Sequence, residues 1–153
     1  MIKLSNMADY AVLIMSHMAQ RGDCVRHAAP GIMQATGVPA ATTAKLLGAL
    51  ARAGLLISQR GIAGGFALAR PAAEISVADI IEAVDGPIAL TNCLGDHSGD
   101  CSLESICATR PRWSAINTAV RGALAQVSLA EMALPEWSFL GNDERSPMTM
   151  EKD

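Results

Sequence analysis

The chain is 153 residues long, half of them apolar, and carries a formal charge of −3. That suits one domain, or one compact domain with an appendage, with enough apolar content for a core. No apolar run approaches the roughly eighteen residues of a membrane span, and the start lacks the layout of a secretory signal, so a cytoplasmic protein without a membrane partner is expected.

The charge is unevenly divided. Residues 1–70 carry seven Lys/Arg against Asp9 and Asp23, a net of +5, whereas residues 71–153 carry five Lys/Arg against thirteen Asp/Glu, a net of −8. A basic half joined to an acidic one either is surface charge alone or points to a polyanion partner for the first half.

Leu4, Met7, Ala11, Ile14 (or Met15) and Met18 recur every three or four residues and predict a helix over 3–20, ended by Arg21, Gly22 and Asp23. Pro30 opens a short helix that runs to Thr36 and is closed by Gly37. From Val38 and Pro39 a third helix runs to about residue 53, with Leu46, Leu47 and Leu50 inward and Gly54 as its stop. Helix, glycine turn, helix is a helix-turn-helix pattern. Residues 55–60 and 66–70 then read as strands around the glycine-rich run 61–65, a β-hairpin placed as a wing. The third helix is expected in the major groove of double-stranded DNA, with the wing along the backbone or in the minor groove.

Several side chains are candidates for DNA contact. Pro39, Ala41, Thr42 and Lys45 lie off the leucine face of the third helix. Thr42 suits a base or phosphate, Lys45 a phosphate or guanine, and Ala41 a thymine methyl. Arg60 at the wing's edge suits a phosphate or a narrow minor groove. Gly64 and Gly65 let the wing backbone approach closely, and Arg52 reads equally as a contact or a solvated side chain.

Ser76 is the expected N-cap of a helix over 77–84, stopped by Asp85, Gly86 and Pro87. The longest helix is expected over 111–127, where Trp113, Ile116, Val120, Leu124 and Val127 form an apolar stripe and Arg112, Asn117 and Arg121 take other faces. A twin helix from a second copy would bury that stripe in a homodimer. A short helix over 128–134 follows, and the polar tail is expected to be disordered. The expected fold is mainly α with a small β-hairpin: a winged helix-turn-helix over 1–74, a loop and dimerisation helix over 75–134, and a tail over 135–153.

Three of the four cysteines, Cys93, Cys101 and Cys107, fall in the Gly/Asp-rich stretch between these helices. Reduced thiols at this density select iron–sulfur clusters, zinc or copper(I). Structural zinc sites bring ligands in close pairs, and the separations here are seven and five residues, which disfavours zinc. A cluster needs a fourth ligand, and Asp96, His97, Asp100 and Glu104 are the local candidates. Cys24 reads as a small packing residue. His17 and His27 sit on or beside helices of the DNA half, and no nucleophile–base constellation appears, so neither an enzyme nor a small-molecule substrate is expected.

Basic winged helix, glycine wing, three-cysteine loop and long helix together resemble the iron–sulfur-dependent bacterial regulators of the IscR, NsrR and RirA kind, most nearly the SUF-system assembly regulators. The resemblance covers residues 1–134 and is most specific over 4–11, at Arg60-Gly61-Ile62-Ala63-Gly64-Gly65-Phe66, and over 81–87 leading into the cysteines. It implies a dimer, operator DNA and a cluster held by Cys93, Cys101 and Cys107. IscR-like members, with 2Fe–2S, use a His three positions beyond the last cysteine, where this chain has Arg110. NsrR-like members, with 4Fe–4S, use an Asp of the first helix from the partner subunit, and the matching residue is Asp9. The resemblance therefore implies 4Fe–4S over 2Fe–2S, and a repressor of iron–sulfur assembly or iron-homeostasis genes. A thiol-redox or zinc-dependent DNA-binding regulator, or an electron-transfer iron–sulfur protein, would share parts of this pattern.

Overall fold

The computed structural model describes residues 3–95, 99 and 101–134. Helix α1 (Asn6–Gln20) starts at Ser5, whose hydroxyl accepts from the Ala8 N–H and donates to Asp85. Helix α2 (Ala29–Thr36) ends at Gly37 in the left-handed region, φ 74°. Helix α3 (Ala40–Arg52) ends in a Schellman turn: Leu55 N–H reaches back to the Leu50 carbonyl and Gly54 N–H to that of Ala51.

Strands β1 (Leu56–Gln59) and β2 (Gly65–Leu68) pair antiparallel, Leu56 opposite Leu68 and Gln59 opposite Gly65. His27 adds a bridge to Phe66 by exchanging both backbone hydrogen bonds, at 2.8 and 2.9 Å. This tie accounts for Gly65, and the wing's own turn accounts for Gly64. A Cβ at Gly65 would lie 2.7 Å from the His27 carbonyl oxygen, and one at Gly64 would lie 2.3 Å from that of Gln59. Both positions are closed to a side chain by the protein's own backbone.

After a 3₁₀ turn (Ala72–Glu74), helix α4 (Val77–Asp85) opens on a capping box in which Ser76 and Asp79 cap each other's N–H groups. Two 3₁₀ turns, Asn92–Leu94 and Glu104–Ile106, lead to α5 (Arg110–Gln126) and the short α6 (Leu129–Met132), itself capped by a Ser128–Glu131 box. A backbone bridge between Ser76 and Ser128 ties the end of α5 to the start of α4. The core gathers Ile14, Met15 and Met18 of α1, Leu46, Leu47 and Leu50 of α3, Ile80 of α4 and Leu129 of α6.

The helix-turn-helix and wing stand where periodicity and turn residues put them, with ends shifted by at most three residues. Leu4 lies before α1 and is exposed, because the Ser5 cap starts the helix after it. Cys24 is a correction: it is exposed on the α1–α2 loop and packs nothing away. The tail expected to be disordered lies outside the described residues. No helix among the described residues is long and apolar enough to cross a membrane.

Candidate nucleic-acid interface and cysteine segment

Pro39 is the N-cap of α3, and Ala41 and Lys45 are exposed on it, while Thr42 is half-buried. The neighbouring Thr43 turns inward instead and donates its hydroxyl hydrogen bond to the Val38 carbonyl at 3.2 Å, which locks the turn before α3. Arg52 folds back over its own helix, so that a Cβ at Gly48 would lie 3.2 Å from Arg52 Nη1. Lys45 and Arg52 line a cavity of about 520 Å³ between α3 and the end of α4, with Met7 and Asp85 opposite. Arg60 is exposed where the wing leaves β1, and Ile62 at the tip stands wholly in solvent. These groups lie on α3 and the wing, and Arg52, though exposed, also lines the cavity against the end of α4.

The cysteine segment is held lightly. Cys93 is half-buried in the turn Asn92–Leu94, with its sulfur 3.3 Å from the Thr91 hydroxyl. Cys101 is exposed. Cys107 is half-buried just before α5, 3.3 Å from the Thr109 hydroxyl. That hydroxyl, with the N–H groups at the start of α5 and the Arg110 charge, holds the Cys107 thiol below its ordinary pKa. All four cysteines are free thiols. Among the described residues no three His, Cys, Asp or Glu side chains gather into a metal-sized group, so the convergence expected of the three thiols is not formed here.

Of the local fourth-ligand candidates, Asp96, His97 and Asp100 lie outside the described residues. Glu104 accepts the Gly99 N–H at 2.6 Å and pairs with Arg110 at 2.9 Å, which spends its carboxylate on closing the segment. Asp9 is exposed in the first turn of α1, at the helix's positive end. It does not join the cysteines of its own chain.

Some organising residues carried no sequence signal. Asn117 of α5 donates to the Ile88 carbonyl at 2.8 Å and accepts the Leu90 N–H at 2.9 Å, fixing the strand of chain that enters the cysteine segment. Arg121 forks onto both oxygens of Glu82 at 2.8 Å each, joining α5 to α4. The Arg121 guanidinium in turn holds the Glu82 carboxyl below its ordinary pKa. Only the alternation of polar residues around the α5 stripe could have hinted at these bonds.

Comparison with known proteins extends the geometry. A family model described as "Rrf2: Iron-dependent Transcriptional regulator" matches residues 4–134. The HTH-type transcriptional regulator IscR of Vibrio vulnificus is 30% identical over 131 residues, spanning 86% of this chain and 77% of its own. A regulator of the same HTH type from Mycobacterium tuberculosis, Rv1287, is 32% identical over 142 residues, 88% of this chain and 85% of its own. Among solved structures, CymR, the global cysteine regulator of B. subtilis, superposes with a TM-score of 0.68 at 28% identity, covering 87% of this chain and 97% of that one.

Proposed function

The chain belongs to the Rrf2 family of iron-dependent transcriptional regulators, and from that premise we propose a homodimeric repressor that reads operator DNA with α3 and the wing. In this reading it senses iron or iron–sulfur status through the cysteine segment. The observation that carries the proposal is that Cys93, Cys101 and Cys107 are all free thiols on the stretch joining α4 to α5. Three soft thiolates fit an iron–sulfur cluster by donor chemistry. Asp9 from a second copy would complete the set, since Arg110 stands where IscR-like members have histidine and is engaged by Glu104. The resemblance to NsrR-like members, which use such a donor set, favours 4Fe–4S over 2Fe–2S. When bound, such a cluster supplies an iron- and oxidant-labile crosslink.

The chain's own residues supply the rest. Pro39, Ala41, Thr42, Lys45 and Arg60 present the DNA face, with Arg52 at its margin and Gly64 and Gly65 shaping the wing. The α5 stripe pairs with its twin, and the Arg121–Glu82 fork couples the orientation of α5 to α4, which packs on α1 and α3. Ordering or releasing the cysteine segment would thereby bias the spacing of two α3 helices, a shift between two arrangements. Anaerobic purification with iron and sulfide counting tests this: brown protein whose cluster becomes labile in Asp9→Ala is expected, together with a shift of the protein's own upstream DNA. A colourless zinc protein sinks the cluster, and an Asp9→Ala variant with unchanged cluster content and lifetime sinks Asp9.

A second reading, cysteine-based sensing without a cluster, is favoured by the unconverged thiols among the described residues and by the likeness to CymR. It predicts that metal-free protein changes its DNA affinity on mild oxidation, reversibly with added thiol, and that cysteine-to-serine variants lose the response.

A further inference from the structure

Beside the start of α2 lies a cavity of about 430 Å³, lined by His17, Arg21, Arg26, His27 and Gly31 and by no carboxylate. Among the described residues no acid pairs with Arg21 or Arg26. The nearby Asp23 is turned away to accept the Ala72 N–H at 3.2 Å. Ala28, the N-cap of α2, offers no side-chain hydrogen bond, so the Ala29 and Gly31 N–H groups, either side of Pro30, which has none, add an uncapped positive helix end. His27 is only 8% exposed and its Nε2 is buried without a hydrogen-bond partner. Its ring meets that of His17 edge-on, with centroids 5.8 Å apart. Unpaired guanidinium groups, an uncapped helix end and a buried imidazole with its Nε2 unpartnered, around one cavity, are the ingredients of an oxyanion site.

We propose that Arg21, Arg26, His27 and the first turn of α2 bind a phosphate group. Two sources share this chemistry: a backbone phosphate of bound DNA, and a free phosphorylated solute. The His27–Phe66 backbone exchange puts the site against the wing, which brings the first source within reach. That source rests on the DNA-binding reading above; the second does not. Burial first, and then the neighbouring cations, lower the pKa of both imidazoles, so an arriving anion is reported by their upward shift.

The test titrates inorganic phosphate into the full chain by NMR and measures duplex affinity against salt concentration in parallel. Two variants accompany the wild type, Arg21→Ala/Arg26→Ala and Gly31→Glu. A Cβ at Gly31 meets nothing within 4 Å, and an acid in the first turn favours the helix, so Gly31→Glu repels an anion while keeping the fold. Saturable shifts at the Gly31 amide and both imidazoles, lost in both variants, are expected. If the variants also lower the salt slope of DNA binding by about one, the occupant is a backbone phosphate. If the slope holds, it is a free solute. Absence of saturable shifts in the wild type overturns the site, whatever happens to the slope, because a lowered slope alone is general charge repulsion. Should the wild type bind no duplex at any salt, the DNA reading fails and the phosphate titration still decides this one.

Discussion

Helix α1 buries seven of its fifteen residues, whereas α5, with seventeen, buries none. Both carry an apolar stripe at helical spacing. In α1 that stripe is covered by α3, α4 and α6, while Trp113 and Ile116 of α5 remain 41% and 47% exposed. The same local pattern thus has two outcomes, one satisfied inside the chain and one left over. The first half of the molecule has its shape fixed by its core. The second, cysteine segment and α5, packs Leu124 and Val127 against that core and is otherwise held by a few polar bonds, with the start of its stripe left uncovered.

One truncation made in each region tests that contrast most strongly. Leu50→Ala removes a fully buried side chain and is expected to cost about 2–5 kcal/mol in urea unfolding. Ile116→Ala should change the unfolding free energy of the isolated monomer by less than about 0.5 kcal/mol, yet shift sedimentation equilibrium toward monomer. If Ile116→Ala destabilised the monomer as Leu50→Ala does, the α5 stripe would be packed within its own chain and the contrast would collapse.

Glycine gives a smaller contrast of the same kind. Gly65 has φ 140° and its would-be Cβ meets the His27 backbone at 2.7 Å, whereas Gly122 in α5 has no positive φ and open space around it. Gly65→Ala is therefore expected to cost about 1–3 kcal/mol and to expose the His27 and Phe66 amides to hydrogen exchange. Gly122→Ala should instead stabilise α5 by about 0.5–1 kcal/mol, seen as slower exchange over that helix alone. Equal costs at the two positions would mean that the α5 backbone is as closely approached as the wing's.

These contrasts also mark what could be read from residues alone. Local signals were legible: Gly37 and Gly54 as helix stops, Ser76 as a cap, the leucine face of α3 and the glycine turn of the wing each follow from the chemistry of a few adjacent residues. Pairings distant in sequence were not. Nothing in the local pattern at His27 announces Phe66, nor at Ser76 announces Ser128, because a backbone bridge uses no side-chain identity. Cys24 was misread for a related reason: small size suits burial, but the loop that carries it runs over the surface. In the cysteine segment the donor types were legible and their arrangement was not. Glu104, a candidate ligand by position, is taken up by Gly99 and Arg110, a choice that depends on how the segment folds back.

The smallest effect falls on the side-chain fork that, beside the Ser76–Ser128 backbone bridge, joins the two regions. The Arg121–Glu82 fork is partly exposed, so Glu82→Gln should cost no more than about 0.2–1 kcal/mol and leave the melting temperature nearly unchanged. Its consequence should be local: faster amide exchange over 110–126 while α1 and α3 stay protected. The pH dependence has a definite sign. Arg121 lowers the folded-state pKa of Glu82 from its ordinary 4.5, so the contribution is fully present above about that pH and is lost as the pH falls through the depressed value. Acid should therefore loosen α5 in the wild type before the core unfolds, and Glu82→Gln should show the loosened α5 already at neutral pH. Uniform exchange across both regions in that variant would mean that α5 is held by something other than the fork.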